Sequence, residues 1–259
     1  MRASDDISKL PAVTTIYWIV KIASTTLGET GGDLLSTTLH IGYGASTGLL
    51  MAVFVASAIG QLLARRHHPW LYWLVILSSS TAGTTMSDWM DRTLGLGYLK
   101  GSAILLAWLL LVLGTWRFLT PYSMAVSHVS SRKIELLYWT AILASNTLGT
   151  ALGDYLADDS GLGFAAVAAI LAVTLSLIVA LHFLTSISKV ALFWIAFVQT
   201  RPFGATLGDT FTKAPSEGGL GFGTTGASAL LAAITIAGVL YVTRHGYHLP
   251  RPRTPSQTA

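Results

Sequence analysis

Four aspartates stand at equivalent positions of the 259-residue chain. Asp33, Asp88, Asp154 and Asp209 each close a Gly-x-x-x-Gly/Ser-Asp frame that opens at Gly28, Gly83, Gly149 or Gly204. Small hydroxyl and amide residues run into the first three frames: Ser24-Thr25-Thr26, Ser78-Ser79-Ser80-Thr81 and Ser145-Asn146-Thr147. Carboxylates grouped with hydroxyls form an oxygen-rich site suited to a hard cation such as Mn2+, Mg2+ or Ca2+. Such groups also titrate, so protons can exchange for the cation. The competing reading is structural. An aspartate after a glycine frame can cap a broken helix, and Asp88-x-x-Asp91 resembles a capping box. Capping explains one such residue easily and four within apolar helices less well.

The copies differ where charge is concerned. Only the first carries Lys21 and Glu29, where the others have Ile76, Ile142, Phe197 and Thr84, Thr150, Ala205. Only the fourth carries Arg201-Pro202. Glu29 lies two turns above Lys21 and is its nearest candidate partner; the alternative is that Lys21 snorkels to the interface. A proline at position 202 frees the carbonyl four residues back. The first and fourth copies therefore read as the functional pair. Glu29, Asp33, Asp88, Asp154 and Asp209 are the candidate metal ligands, helped by Thr26, Thr30 and Thr147, with Lys21 and Arg201 as counter-charges.

These residues need helices to hold them. An aromatic pair lies eleven residues before each frame: Tyr17-Trp18, Tyr72-Trp73, Tyr138-Trp139 and Phe193-Trp194. Successive copies are offset by 55, 66 and 55 residues. Each copy contains two apolar stretches near the length of about 20 residues that crosses a bilayer core. The spans read as 13–36, 45–64, 70–91, 102–120, 134–157, 164–184, 190–212 and 222–243, in repeats of about 13–64, 70–120, 134–184 and 190–243. The expected fold is all-α: one transmembrane domain over 1–243, eight helices in four parallel two-helix hairpins and two pseudo-symmetric halves. Small residues at four-residue spacing let backbones approach closely, which assigns packing to Gly28, Gly32, Gly83, Gly149, Gly153, Gly204 and Gly208. Four first helices then meet on a central axis. Counted at 100° per residue, Lys21, Ser24, Thr25, Gly28 and Gly32 share one face of the first helix. Thr26, Glu29, Thr30, Asp33 and Thr37 form an adjoining one. The aspartates lie roughly 30 Å along their helices, toward the outer mouth. Beyond them come the turns Gly42-Tyr43, Gly97-Tyr98, Gly163-Phe164 and Gly221-Phe222.

Composition agrees with a bilayer. Hydrophobic residues make up 52% and charged residues 11% of the chain, against about a quarter charged in soluble domains. One face collects Arg2, Lys9, Arg65, Arg66, Arg117, Arg132, Lys133, Lys189, Arg244, Arg251 and Arg253; the other collects only Arg92, Lys100 and Lys213. That asymmetry puts both termini in the cytoplasm. The first span is too long and polar for a cleaved signal peptide, and residues 244–259 read as a disordered basic tail. The absence of cysteine excludes disulfides and thiolate metal sites. His40, His182, His245 and His248 lack ligand spacing, most Trp and Tyr fall at interfacial belts, and no nucleotide-binding or hydrolase motif is present. The residues point away from an enzyme and from nucleic-acid binding.

The stretches from Lys21 to Asp33 and from Thr200 to Asp209 resemble signature segments of a bacterial integral membrane family. That family is built of four copies of a short repeat of unknown function, and the resemblance spans about Tyr17 to Val242. It implies a multi-pass inner-membrane protein and supplies no activity. Glu29-Thr-Gly-Gly-Asp33 is also loosely similar to the Glu-x-Gly-Asp motifs of cation/proton exchangers, with one extra residue and no following basic residue. The expectation is a proton-coupled exporter of a hard divalent or trivalent cation through a central cavity. Its partners are lipid, the transported ion and protons; no cofactor is bound permanently, and homo-oligomerisation is left open. A transporter of small organic ions and a non-transporting scaffold or sensor are the alternatives.

Overall fold

The computed structural model describes residues 13–64, 68–120 and 131–245. Arg2, Lys9, Arg65, Arg66, His248, Arg251 and Arg253, which entered the expected charge asymmetry and tail, lie outside the described residues. The described residues form eight α-helices and no strand. These are α1 (Thr15–Asp33), α2 (Tyr43–Leu63), α3 (Pro69–Asp88), α4 (Tyr98–Leu119), α5 (Arg132–Asp154), α6 (Phe164–Leu184), α7 (Lys189–Thr212) and α8 (Gly223–His245). Helix α8 therefore includes Arg244 and His245, the first two residues of the expected tail.

Local sequence explains the helix starts. The side chains of Thr14, Ser131 and Ser188 accept the backbone N–H of Tyr17, Ile134 and Ala191, satisfying donors that a helix N-terminus leaves open. Pro69 opens α3, where its missing N–H costs nothing. After Asp33, Asp88 and Asp154 the chain widens into a π-helical turn: Leu34–Thr38, Trp89–Thr93 and Tyr155–Asp159. Gly42, Gly97 and Gly163 then start α2, α4 and α6 at φ of 84°, 71° and 79°, a left-handed region that glycine enters without strain.

Helices α1, α3, α5 and α7 form a closed inner ring in which each touches the next and α7 returns to α1. The outer helices differ from the expected hairpins. α2 packs chiefly on α3, α4 on α5, α6 on α7 and α8 on α1, so each lies against the inner helix of the next repeat. A wide turn and a glycine bend precede α2, α4 and α6, and the short turn Pro215–Glu217 precedes α8. Five helices, α2, α4, α6, α7 and α8, are long and apolar enough to cross a membrane. Their exposed residues include Leu49, Leu111, Val173 and Leu230. Helices α1, α3 and α5 carry most of the buried hydroxyl residues.

The frame glycines sit at the ring's contacts. A Cβ on Gly28 would lie 2.1 Å from Ser80 Oγ; one on Gly83 would lie 3.0 Å from Asn146 Cβ. One on Gly149 would lie 2.3 Å from Arg201 Cγ, and one on Gly204 would lie 2.5 Å from Thr25 Oγ1. Each glycine thus receives the residue three positions before the frame glycine of the following repeat. The aromatic pairs close a second ring. Tyr17 meets Trp73, Tyr72 meets Trp139, Tyr138 meets Trp194 and Phe193 meets Trp18, with centroids 5.5, 5.6, 6.4 and 5.7 Å apart. Tyr17, Tyr72, Tyr138, Trp73 and Trp139 are buried, so this set is a core layer rather than an interfacial belt.

Gly149→Ala is expected to destabilise the protein by about 1–3 kcal/mol, because the added methyl overpacks a contact that cannot relax. Gly48→Ala, with nothing within 4 Å of its Cβ, should be neutral or gain up to about 1 kcal/mol of helix propensity. Thermal unfolding in detergent compares the two, and equal stability would remove the packing role from Gly149.

Candidate functional site

Every fourth residue of the inner helices faces the axis, which places repeat-equivalent residues in layers. From the N-terminal end the layers are Tyr17/Tyr72/Tyr138/Phe193, then Lys21/Ile76/Ile142/Phe197, then Thr25/Ser80/Asn146/Arg201. Glu29/Thr84/Thr150/Ala205 and Asp33/Asp88/Asp154/Asp209 follow. All are buried except the partly buried Phe193. Lys21, Thr25, Glu29 and Asp33 thus share one stripe instead of two adjoining faces. A period of four exceeds 3.6, so the stripe winds around the helix and the helices must cross one another at an angle, as small-residue contacts permit.

Arg201 fills the axis that the sequence had marked as a cavity. Its Nε donates to the Asn146 carbonyl at 3.1 Å and its Nη1 to the Thr25 carbonyl at 2.9 Å. Nη2 donates to the Ser80 carbonyl at 3.3 Å, to Glu29 Oε2 at 3.0 Å and to Thr150 Oγ1 at 2.7 Å, and also to Thr84 Oγ1. The hydroxyls of Thr84 and Thr150 in turn donate to Glu29 Oε2, each at 3.1 Å. One guanidinium therefore bonds to all three of the other inner helices. Its planar set of five donors makes that possible.

The four aspartates lie one layer above Glu29 and divide into two pairs. Arg92 Nε is 3.1 Å from Asp88 Oδ1, and its Nη2 is 3.4 Å from Asp154 Oδ2. Lys213 Nζ is 3.6 Å from Asp209 Oδ1 and 3.7 Å from Asp33 Oδ2. The Asp209 carboxylate raises the Lys213 ammonium above the ordinary lysine range against the opposing effect of burial, and Asp33 adds to the rise. Both cations sit four residues beyond their own aspartates, where the other repeats have Thr37 and Asp158. Glu29, Asp33 and Asp209 each place a carboxylate oxygen within 4.8 Å of the others, and all three are buried. Asp209 Oδ1 has no hydrogen bond among the described residues.

None of the first three aspartates caps a helix. The backbone stays helical through Asp33, Asp88 and Asp154, and their side chains make no capping bond. They stand at the C-terminal ends of α1, α3 and α5, where the helix dipole disfavours negative charge. The suggested Asp88-x-x-Asp91 box is absent: Asp91 accepts from Ser87 Oγ at 3.3 Å and lies against Gly101 of α4. At the three helix ends the dipole's effect on Asp33, Asp88 and Asp154 is opposed by the ion pairs with Arg92 and Lys213.

Three expected ligands are elsewhere. Thr26 Oγ1 donates to the Ile22 carbonyl at 2.9 Å and Thr147 Oγ1 to the Leu143 carbonyl at 3.0 Å, both within their own helices. Thr30 Oγ1 accepts from Ser228 of α8 at 2.8 Å, away from the axis. Lys21 neither snorkels nor pairs with Glu29. It is fully buried, with Nζ 4.1 Å from the centroid of the Phe197 ring, and Glu29 belongs to Arg201. The residues missed in the sequence are Thr84, Thr150, Arg92 and Lys213. The first two are the repeat equivalents of Glu29, and the second two follow an aspartate by one helical turn, so the signal was register with the repeat.

The model of a repeat of unknown function, DUF347, matches the chain four times, at residues 16–67, 71–122, 137–188 and 192–246. The chain belongs to that family. Neither a curated protein nor a solved structure matches it at a significant level.

Removing the guanidinium in Arg201→Met leaves Glu29 buried without its counter-charge and is expected to cost about 3–5 kcal/mol. Arg201→Lys should not restore the loss, because a single ammonium cannot span acceptors on three helices. Adding Glu29→Gln to Arg201→Met should recover part of it, with a coupling of about 1 kcal/mol or more. Denaturant unfolding of the double-mutant cycle measures this; additive losses would mean that the pair does not act as a unit.

Proposed function

We propose that the protein is a secondary transporter of the bacterial inner membrane that exports a hard, Mn2+-like cation in exchange for protons. In this reading all eight helices cross the bilayer and both termini are cytoplasmic. The single observation that carries the reading is the cluster of Glu29, Asp33 and Asp209, whose buried carboxylate oxygens converge within 4.8 Å. Oxygen donors at that spacing suit a hard cation, and carboxylates in a protein interior are kept at a cost that a transported ion offsets. The reading narrows the four-aspartate ring to one half. Asp88 and Asp154 are held by the planar, permanently charged Arg92, whereas Asp33 and Asp209 share the longer contacts of Lys213. Lys213 is a point charge on a flexible stem and can leave the pair when a cation enters. Arg201 stays on Glu29 and closes the axis beneath the site. Protonation of the carboxylates removes the ligands and releases the ion.

A second reading has its own observation. The bonds from Arg201 to three neighbouring helices are those of a structural joint, which suits a non-transporting membrane scaffold. The two readings differ in flux.

Calorimetry with Mn2+ on the purified protein should show binding at neutral pH that weakens as the pH falls, since protons compete for the same oxygens. Asp33→Asn and Asp209→Asn should each weaken it by about tenfold or more, the loss of a charge-assisted contact, and Asp88→Asn by less. In cells, the gene should restore Mn2+ tolerance to a sensitive null strain. If Asp33→Asn and Asp209→Asn both restore tolerance as wild type does, the carboxylate mechanism is wrong. A scaffold would show neither binding nor flux, with the substitutions altering only thermal stability.

A further inference from the structure

We propose that Lys21 is a proton-binding site, one layer below Arg201, whose charge sets the affinity of the carboxylate site above it. The effect on affinity rests on the cation reading; the protonation itself does not. Lys21 is fully buried, and its Nζ has no hydrogen-bond partner among the described residues. Its contact is the ring of Phe197 at 4.1 Å. The equivalent positions hold Ile76, Ile142 and Phe197, all buried, so the layer packs without an amine in three of its four places. Packing therefore gives no reason for a lysine there.

The surroundings disfavour a permanent charge. From α7 the neighbouring layer presents Arg201, a like charge whose donors are turned to Glu29 and to carbonyls. On its own helix the nearest acid is Glu29, two turns above and engaged by Arg201. α3 and α5 contribute Ile76 and Ile142 to the layer, with the titratable Tyr72 and Tyr138 one turn below and the buried Glu135 further toward the N-terminal end of α5. The charged groups of α8, Arg244 and His245, lie at its far terminus. The contact with Phe197 offsets only part of the cost of burying an ammonium. The amine form thus belongs to the closed arrangement, and the ammonium to one that admits water.

Polar groups also lie in the layer below. Tyr17, on the same stripe one turn below, has its hydroxyl 3.1 Å from that of Tyr72, which is 3.1 Å from that of Tyr138. These three hydroxyls lie within a layer otherwise made of aromatic rings, one turn below Lys21. The step is a protonation: the Lys21 nitrogen takes one proton from water at the N-terminal end of the inner helices and later returns one. Eight residues separate Lys21 from Glu29, about 12 Å along the helix. At that distance a new positive charge weakens the binding of a divalent cation by between about tenfold and a hundredfold. A proton and a cation then exclude each other without sharing a ligand.

Two measurements test this on the full-length protein. Nitrogen NMR of 15N-lysine-labelled protein, with Lys21→Met assigning the resonance, should show an amine signal at neutral pH that becomes an ammonium signal on acidification. Lys21→Met should also reduce the pH dependence of Mn2+ affinity by at least about tenfold. An ammonium signal at every pH overturns the proposal. So does a Lys21→Met protein that is merely more stable while its Mn2+ binding keeps the wild-type pH dependence. If wild type binds no Mn2+, the cation reading fails and the NMR titration alone decides the role of Lys21.

Discussion

A single buried guanidinium holds the centre of this protein. Where the four inner helices meet, the carbonyls of Thr25, Ser80 and Asn146 turn to one point and need donors. A fourfold ring of any of the short residues found there, threonine, serine or asparagine, would bring no side chain with five donors to that point. Breaking the repeat at one position, with Arg201, supplies donors to all three partners, because the guanidinium carries five N–H groups in a fixed fork. Glu29, one layer up, balances the charge. Thr84 and Thr150 complete the pair by donating to Glu29 while accepting from Arg201. Buried ion pairs repay their desolvation only when such further bonds are made.

The close approach of the backbones follows from the same constraint. Arg201 reaches carbonyls on α1, α3 and α5 only because glycine stands at each ring contact. Gly149 in particular leaves room for the Arg201 stem itself. Above that joint the symmetry falls from four to two. Arg92 and Lys213 sit in alternate repeats, so each ties its own aspartate to that of the next repeat. The mouth is thereby divided into an Arg92 half and a Lys213 half, and the half beside Glu29 gains a third carboxylate.

Much of this was legible beforehand because the chain repeats. Helix limits agree with the expected spans to within a few residues, since each inner helix begins at a capping residue or proline and each outer one at a glycine turn. The equivalence of Lys21 with Phe197 and of Glu29 with Thr84 was readable from register. Which way those residues point was not. Counting at 100° per residue set Lys21 and Glu29 on different faces, whereas helices crossing at an angle bring every fourth residue to the axis. The threonines show the same limit. Thr26, Thr30 and Thr147 and Thr84 and Thr150 are alike in sequence, and only the axial pair meets the carboxylate. The aromatic pairs resembled an interfacial belt, yet Tyr17, Tyr72, Trp73, Tyr138 and Trp139 are core, because the following repeat covers their rings, while Trp18, Phe193 and Trp194 are partly buried.

The sequence by itself determined that the chain is a helical membrane protein of four repeats, with glycine contacts, recurring aspartates, and charge irregularities in the first and fourth units. Those properties are periodic or compositional, and they survive without knowledge of contacts. Tertiary structure decided the pairings: Glu29 with Arg201 rather than Lys21, Asp88 with Asp154 through Arg92, and Asp33 with Asp209 through Lys213. It also decided that each outer helix covers its neighbour's inner helix. Pairing depends on which side chains ring closure brings within 4 Å of one another, and residues separated by 172 positions in the chain, such as Glu29 and Arg201, carry no local sign of it.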